Sequence, residues 1–556
     1  MRLYHADDVR DNCGFGLIAS IEGDARHDLI STAVQGLDRM QHRGGIGADG
    51  KTGDGCGLLL QIPEQFFREY AEQQGWNLGK KFAVGMVFFS RNSDKREAAR
   101  HLIEQELQKE TLSIVGWRKV PVDDSVLGNA AKAAEPKIEQ VLISAPTGWR
   151  KKDIERRLYM ARRRVEQKVE QGVFSADELY ICSMSSLLLV YKGLMMAGDL
   201  PRYYPDLANP ALKTAICVFH QRFSTNTQPR WRLAQPFRFL AHNGEINTIR
   251  GNRQWAQARL YKFHSPLLPD LQQAAPLVSQ SGSDSASLDN MLELLLAGGM
   301  DLFRAMRLLI PPAWQGDSTM SDDMRAFYEF NALHMEPWDG PAGIVMSDGK
   351  WAICILDRNG LRPARYQIDK YSNITIASET GVNPVPQDCV ISKGRISPGG
   401  ILAINTETSE ILTEKEIDDR IKNIAPYRKW LKKNCIYIES SLDKYEGPGL
   451  KKISSEDFSI SSKLFLLYKE ERTSVIKPLA IESQEGTGSM GDDTALAVMS
   501  KMHRQIYDYF RQQFAQVTNP PIDSLREASV MSLETCYGPE LNVFKDTFEH
   551  AKRLVT

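Results

Sequence analysis

The sequence predicts an α+β fold with stacked antiparallel sheets, and three observations carry that expectation. Residues 13–19 set a cysteine before a glycine-spaced apolar run, a strand close to the front of the chain. Residues 343–356 hold two apolar runs around Asp348-Gly349, the kind of dipeptide that favours a tight hairpin turn. Amphipathic helical patterns at 28–40, 94–112 and 289–309 supply apolar faces to lay on such sheets. Further strands to about Asn405 suit two antiparallel sheets packed face to face.

Taken in order, the 28–40 helix carries Leu29, Ala33, Leu37 and Met40 at helical spacing. Gln41-His42-Arg43-Gly44-Gly45 closes it, with glycine where a left-handed C-terminal turn is expected. Gly53-Asp54-Gly55-Cys56-Gly57 is a turn feeding a buried strand; it lacks the Lys-Ser/Thr of a phosphate loop and reads as structural. Phe82–Phe89 is a strand. From Lys151 to Lys168 the chain is strongly basic, and the interleaved Glu155 and Glu166 favour a solvated helix face over an anion or subunit contact. Residues 187–191 and 215–219 read as buried strands, the second delivering Arg222 at its end. Leucines and methionines from Met291 to Leu309 form the apolar side of one long helix. After the hairpin, residues 357–363 make a tight turn into Arg365-Tyr366. Residues 406–474 are Lys/Glu-rich and poorly patterned, with Pro448 and Gly449, and read as a partly helical linker.

A chain of 556 residues is too long for one core, so two to four domains are expected. A net charge of −1 argues against nucleic acid or an anionic membrane as the main partner. No apolar run approaches the length of a spanning helix; the run at 187–191 is broken by Lys192. Residues 1–12 carry Asp7, Asp8 and Asp11 and no apolar core, so they read as a propeptide rather than a signal peptide. The eight cysteines are scattered, with no C-x-x-C pair for zinc or an iron–sulfur cluster, which fits a reducing cytoplasm.

Cys13 is the chemically telling residue. Almost no chain precedes it to pack against, which suits a nucleophile exposed as the first residue once 1–12 are cut away. A free α-amino group titrates at about 7.7–8.0, so the residue could be its own general base. Gly14 and Gly16 would let a substrate approach the backbone. A buried core cysteine at a strand edge is the competing reading.

Cys13 has company: Gln41-His42-Arg43-Gly44-Gly45, His220-Gln221-Arg222-Phe223-Ser224-Thr225-Asn226-Thr227, Ala241-His242-Asn243-Gly244-Glu245 and Gly282-Ser283-Asp284-Ser285 follow in order. This set resembles the class II glutamine amidotransferases, and its wording looks most like the large subunit of bacterial glutamate synthase. The later block from Gly488 to Asp523, with Tyr507-Asp508-Tyr509-Phe510, belongs to the same resemblance. The resemblance implies an N-terminal-nucleophile αββα sandwich over 13–405 and, after the linker, a partial α/β central domain over 475–556. It implies Cys13 as the nucleophile that deamidates L-glutamine through a thioester, with Asn243 and the Gly244 N–H as oxyanion donors. Arg222 would grip the substrate α-carboxylate, Asp284 its ammonium, and Arg43 would support the thiolate. His220 and His242 read as core or supporting residues, since the terminal amine fills the base's place.

The resemblance also implies that ammonia is used elsewhere, to aminate 2-oxoglutarate reductively with FMN, a 3Fe–4S cluster and an NADPH-oxidising small subunit. None of those sites is assignable before Thr556, where the chain is expected to be truncated. Other class II amidotransferases share the Cys, Arg, Asn-Gly and Asp set but not the later block. A truncated, unprocessed and catalytically silent fragment acting only as a subunit-binding module is the alternative from another class.

Overall fold

The computed structural model describes residues 13–222, 229–438, 453–465, 467–483 and 534–556, with isolated positions between 497 and 509. The leader 1–12, the Phe223–Thr227 part of the arginine motif and most of the 488–523 block lie outside the described residues. The chain divides into two units: 1–312 with 321–431 and 540–551, and 313–320 with 432–539 and 552–556.

Among its described residues the first unit holds sixteen strands. They are β1 (Gly14–Ser20), β2 (Cys56–Gln61), β3 (Phe82–Phe89), β4 (Ser113–Lys119), β5 (Lys137–Ser144), β6 (Leu179–Ser185), β7 (Leu188–Gly193) and β8 (Ile216–Gln221). There follow β9 (Leu240–Gly244), β10 (Ala342–Ser347), β11 (Trp351–Leu356), β12 (Arg365–Asp369), β13 (Asn373–Ala377), β14 (Val390–Arg395), β15 (Ile401–Asn405) and β16 (Glu410–Leu412). A seven-stranded sheet runs β14-β12-β13-β1-β8-β2-β7, and a five-stranded sheet runs β16-β15-β11-β10-β9. Their ladders are antiparallel throughout. One continuous core joins Phe15 and Leu17 of β1 to Ala241 of β9, Val345 of β10 and Cys354 of β11, so the two sheets stack face to face. The helix Asp28–Arg39 covers the seven-stranded sheet through Leu29, Ile30, Ala33 and Leu37. The helices Asp284–Ala297 and Leu302–Leu309 cover the other, with Phe303 edge-on to Trp351 of β11 at 4.9 Å between ring centres. The result is the expected α+β sandwich of two antiparallel sheets between helix layers. A separate four-stranded sheet, β4-β5-β3-β6, packs under the helices Ser93–Lys109 and Lys151–Glu170 with its own core around Val87, Ile103, Val141 and Leu158.

Four expectations change. The 289–309 helix is two, broken at Gly298-Gly299, where Gly299 has φ +98° and Asp301 caps the second helix by accepting from Arg304 N at 3.0 Å. Gly44 is extended (φ −97°) rather than left-handed; its missing Cβ makes room for the Gln221 side-chain amide, which a Cβ would meet at 2.2 Å. Gly14 and Gly16 serve packing, not substrate approach: Cβ atoms there would meet Met40 Sδ at 3.0 Å and the Phe219 ring at 2.3 Å. The basic 151–168 stretch is not a solvated face. Arg162, Arg163 and Arg164 are buried; Arg162 pairs with Glu166 at 2.6 Å and with Glu293, and Arg164 with Glu106 and Glu110 at 2.7 and 2.6 Å.

The five-stranded sheet runs on past Asn405 through β16, which pairs with β15, and the helix Glu414–Ile421 follows in the same unit. The second unit's described part includes the helix Ser455–Leu464 and a small sheet in which Leu554–Val555 pairs parallel with Ile436–Tyr437 and antiparallel with Cys536–Tyr537.

Candidate active site

Cys13 stands at the entrance to β1, which is hydrogen-bonded on both sides, to β13 and to β8. Side chains alternate along a strand, so Cys13 shares the face of Phe15 and Leu17, toward the second sheet. The neighbouring strand β8 ends at Gln221, opposite Gly14, and delivers Arg222 beside the cysteine. Arg222 has φ +88°, a left-handed conformation rare for a side chain of its size. That backbone is held by its own N–H, which donates to the Gly55 carbonyl at 2.7 Å. Its Nε lies 3.2 Å from Asp54 Oδ2.

From the facing sheet, β9 ends in Asn243-Gly244. The Asn243 side-chain amide donates to the Cys13 carbonyl at 2.8 Å and is buried. In the ladder Asn243 pairs across to Gly343 of β10. A Cβ on Gly343 would meet the Phe15 ring at 2.8 Å and Arg362 Cβ at 3.2 Å, so that glycine lets β1 and the 357–363 turn close on the site. Gly244 has φ +139°, and a Cβ there would lie 1.7 Å from the Pro341 carbonyl oxygen.

Asp284 opens the helix Asp284–Ala297, whose cap Ser283 accepts from Ala286 N at 3.1 Å. Asp284 Oδ2 accepts from Ile246 N at 2.9 Å, just past Asn243-Gly244. Ser285 Oγ sits 2.8 Å from His242 Nδ1 and 3.4 Å from Asp284 Oδ1. Asp289, one turn further, pins the same helix to the start of β9 by accepting from the N–H groups of Arg238, Phe239 and Leu240 at 3.2, 2.9 and 3.2 Å.

The thiol is buried, and burial pushes it up to about 11, against the opposing influence of Arg222 and Arg362 and with Asp284 and Asp54 adding to the rise. Cys13, Arg222 and Asp284 therefore share one electrostatic site, with Asn243 bonded to the Cys13 backbone. Arg43 sits close by, its Cγ 3.3 Å from where a Gly14 Cβ would stand, but its guanidinium is engaged by Glu379 at 2.7 and 3.1 Å. Burial lowers both neighbouring histidines, His220 to about 3 and His242 below its ordinary value despite Asp284, so both are neutral near pH 7.

Sequence reading missed Asp54 and Arg362. Each lies in a turn whose Gly or Pro content signals only a change of direction; nothing in one sequence says which site a turn folds toward.

The chain matches the class II glutamine amidotransferase family over residues 13–430 and the glutamate synthase central domain over residues 461–556. It is 37% identical to the glutamate synthase [NADPH] large chain of Azospirillum brasilense, over 98% of this chain and 36% of that protein. It is 38% identical to the corresponding Bacillus subtilis large chain, over 99% and 36%. It is 39% identical to ferredoxin-dependent glutamate synthase 2 of Synechocystis, over 98% and 35%. The chain thus spans about a third of the length of these relatives. With the family match running from the cysteine that opens β1 through the whole two-sheet sandwich, the chain belongs to the class II glutamine amidotransferases.

Proposed function

We propose that this chain hydrolyses L-glutamine to glutamate and ammonia, with Cys13 as the nucleophile after removal of residues 1–12. The observation that carries the reading is the bond from the Asn243 amide to Cys13, whose thiol also feels the charges of Arg222 and Asp284. The Cys13 sulfur attacks the side-chain amide carbon, and the tetrahedral oxyanion is received by Asn243 Nδ2 and the Gly244 N–H. Collapse expels ammonia, protonated by the terminal amine, and leaves a γ-glutamyl thioester that water then hydrolyses.

The thiol's environment bears on the base. A thiol pushed up to about 11 is ionised in only about one molecule in ten thousand at pH 7, so a proton acceptor is needed. A histidine lowered to about 3 is too weak a base for that work, whereas a terminal amine titrates at about 7.7–8.0. Arg222 binds the substrate α-carboxylate and Asp284 its ammonium. Arg43, with Glu379, supports the approach to the thiol from the helix side.

The proposed division of the chain is a leader over 1–12, an amidotransferase segment from Cys13 to about Asn405 extended by β16, a linker to about 474, and a central-domain segment over 475–556. In the longer assembly the ammonia would serve the reductive amination of 2-oxoglutarate, in the cytoplasm, with FMN, a 3Fe–4S cluster and an NADPH-oxidising small subunit as further components. Among the described residues no three His, Cys, Asp or Glu side chains converge as a ligand set, so the described residues do not fit the cluster and no step above is routed through it.

The test is intact mass together with ammonia release. Active protein should have lost residues 1–12, and Cys13→Ala should abolish turnover while glutamine still binds. Full activity with the leader attached, or unchanged turnover in Cys13→Ala, would overturn the reading.

A further inference from the structure

The Gly53-Asp54-Gly55 turn has no part in the chemistry above, and it touches Arg222 twice. The Gly55 carbonyl takes the Arg222 N–H at 2.7 Å, and Asp54 Oδ2 lies 3.2 Å from Arg222 Nε. The turn is itself anchored: Asp54 Oδ2 accepts from Gly45 N at 2.8 Å, and Asp54 N donates to the Gly45 carbonyl at 3.2 Å. Gly45 has no room for a side chain, since a Cβ would meet Asp54 Oδ2 at 2.4 Å. Gly55 itself has φ +111°, which aims its carbonyl back at the arginine.

We propose that Asp54 is a positioning residue for Arg222, and that residues 54–55 are a two-point clamp that sets the guanidinium's aim at the substrate α-carboxylate. The inference rests on the reading of Arg222 given above. An arginine side chain has about 2 kcal/mol of rotamer freedom to lose, and its planar fork recognises a carboxylate only in a narrow range of orientations. The Asp54 carboxylate stands 3.2 Å from Nε, the inner edge of the fork, as an ion pair rather than a hydrogen bond, and its attraction opposes the swing that would carry the terminal nitrogens off target. The backbone bond to Gly55 fixes where the side chain starts, holding Arg222 at φ +88°, where an ordinary residue would relax. Asp54 also offsets part of Arg222's charge. A second anion, the substrate, therefore meets a cation already oriented, and the thiol meets a weaker positive field than a bare guanidinium would impose.

The experiment compares Asp54→Asn, Asp54→Glu and Arg222→Met in the processed full chain, using glutamine and its α-methyl ester. Asp54→Asn should raise KM for glutamine about tenfold, the scale of losing a close, partly buried ion pair, with kcat changed less than about threefold. Its KM for the ester, which offers no carboxylate, should move by less than about threefold. Asp54→Glu should recover much of the loss. The midpoint of Cys13 alkylation by iodoacetamide should fall in Asp54→Asn while the near-ultraviolet dichroism stays that of wild type, because a carboxylate that opposes the thiolate is gone from a site that is still buried. If Arg222→Met raises KM for glutamine and Asp54→Asn does not, the clamp is refuted and the role of Arg222 stands. If Arg222→Met leaves KM unchanged, that role itself is refuted, and with it the clamp's function. An Asp54→Asn protein that does not fold, judged by near-ultraviolet dichroism, passes the decision to Asp54→Glu: a KM equal to wild type supports the clamp, and equal losses for glutamine and ester refute it.

Discussion

Replacing Asn243 by alanine isolates the proposed oxyanion site. The residue is buried at the end of β9, and its amide nitrogen is 2.8 Å from the Cys13 carbonyl oxygen in the resting site. In the ground state the loss is one neutral hydrogen bond, worth about 1 kcal/mol of stability. The backbone of β9 stays paired with β10, where Asn243 faces Gly343, so the strand itself should remain in place. In the transition state the same nitrogen would donate to a developing negative charge shielded from water, where such a donor is worth about 2.7–4 kcal/mol. That transition-state worth predicts a fall in kcat of about a hundred- to a thousandfold, with KM within about threefold and Tm lowered by only a few degrees. The assay is steady-state ammonia release on processed protein, with calorimetry on the same preparation. An unchanged kcat would remove Asn243 from the oxyanion role. A KM rise as large as the kcat fall would place it in substrate binding instead.

Three further outcomes follow from the same geometry. On protein that retains residues 1–12, iodoacetamide should alkylate Cys13 about tenfold faster per pH unit between about 7 and 10, because the thiol raised to about 11 gains thiolate throughout that window; Arg222→Met should move the midpoint higher still, and a plateau near pH 8 would contradict the burial argument. Asp284→Asn removes the charge assigned to the substrate ammonium and should raise KM about tenfold or more with a small change in kcat, read by the same ammonia assay. For Glu166, burial favours the protonated form, but the guanidiniums of Arg162, Arg238 and Arg163 outweigh it and hold the carboxyl well below its ordinary range. Its contribution is therefore present above the unfolded-state value and lost as pH falls through the folded one. Glu166→Gln should cost about 3–5 kcal/mol in denaturant unfolding at pH 7 and flatten the acid dependence, and a cost below about 1 kcal/mol would mean the cluster relaxes around the gap.

Periodicity located most of the sandwich because its strands are short, apolar and set off by turns. Phe82–Phe89 and the hairpin around Asp348-Gly349 fall where the pattern puts them. Where the pattern misled, a tertiary partner decided. The arginines at 162–164 look solvent-bound because their sequence neighbours include glutamates, yet Glu293 and Glu106 come from distant helices and bring the group inside. Gly16 looks like a site for close approach, and it is one, but the approaching group is the Phe219 ring. The 289–309 pattern is continuous in hydrophobicity, while Gly298 yields to the Phe544 ring from far down the chain. The candidate site was easier because its chemistry sits in short motifs. Cys13, Arg222, Asn243 and Asp284 each occupy a strand end or a helix start, where residue type is dictated by what the end must do. Asp54 and Arg362 were opaque because their importance lies in the direction a turn faces.

The same strand ends account for how such a site can be rigid. Cys13 immediately precedes a strand bonded on both flanks, pairing with β8 from Gly14 and with β13 from Gly16, so its backbone runs straight into two ladders. Arg222 directly follows the last residue of the adjacent strand, and Asn243-Gly244 ends a strand of the facing sheet. Asp284 is tied to that end through Ile246 and, one turn along its helix, through Asp289 to the strand's beginning. Both termini of β9 are thereby referenced to one helix, and a shift of the helix would carry Asp284 and the Asn243-Gly244 pair together. The distance between Asp284, proposed to hold the substrate's ammonium, and Asn243-Gly244, proposed to receive the oxyanion, is thus set by a single strand–helix unit. The distance from that unit to the sulfur is set by the packing of the two sheets, through Phe15 against Gly343. A substrate whose amide lies at a fixed reach from its amino-acid end is what such a frame can measure.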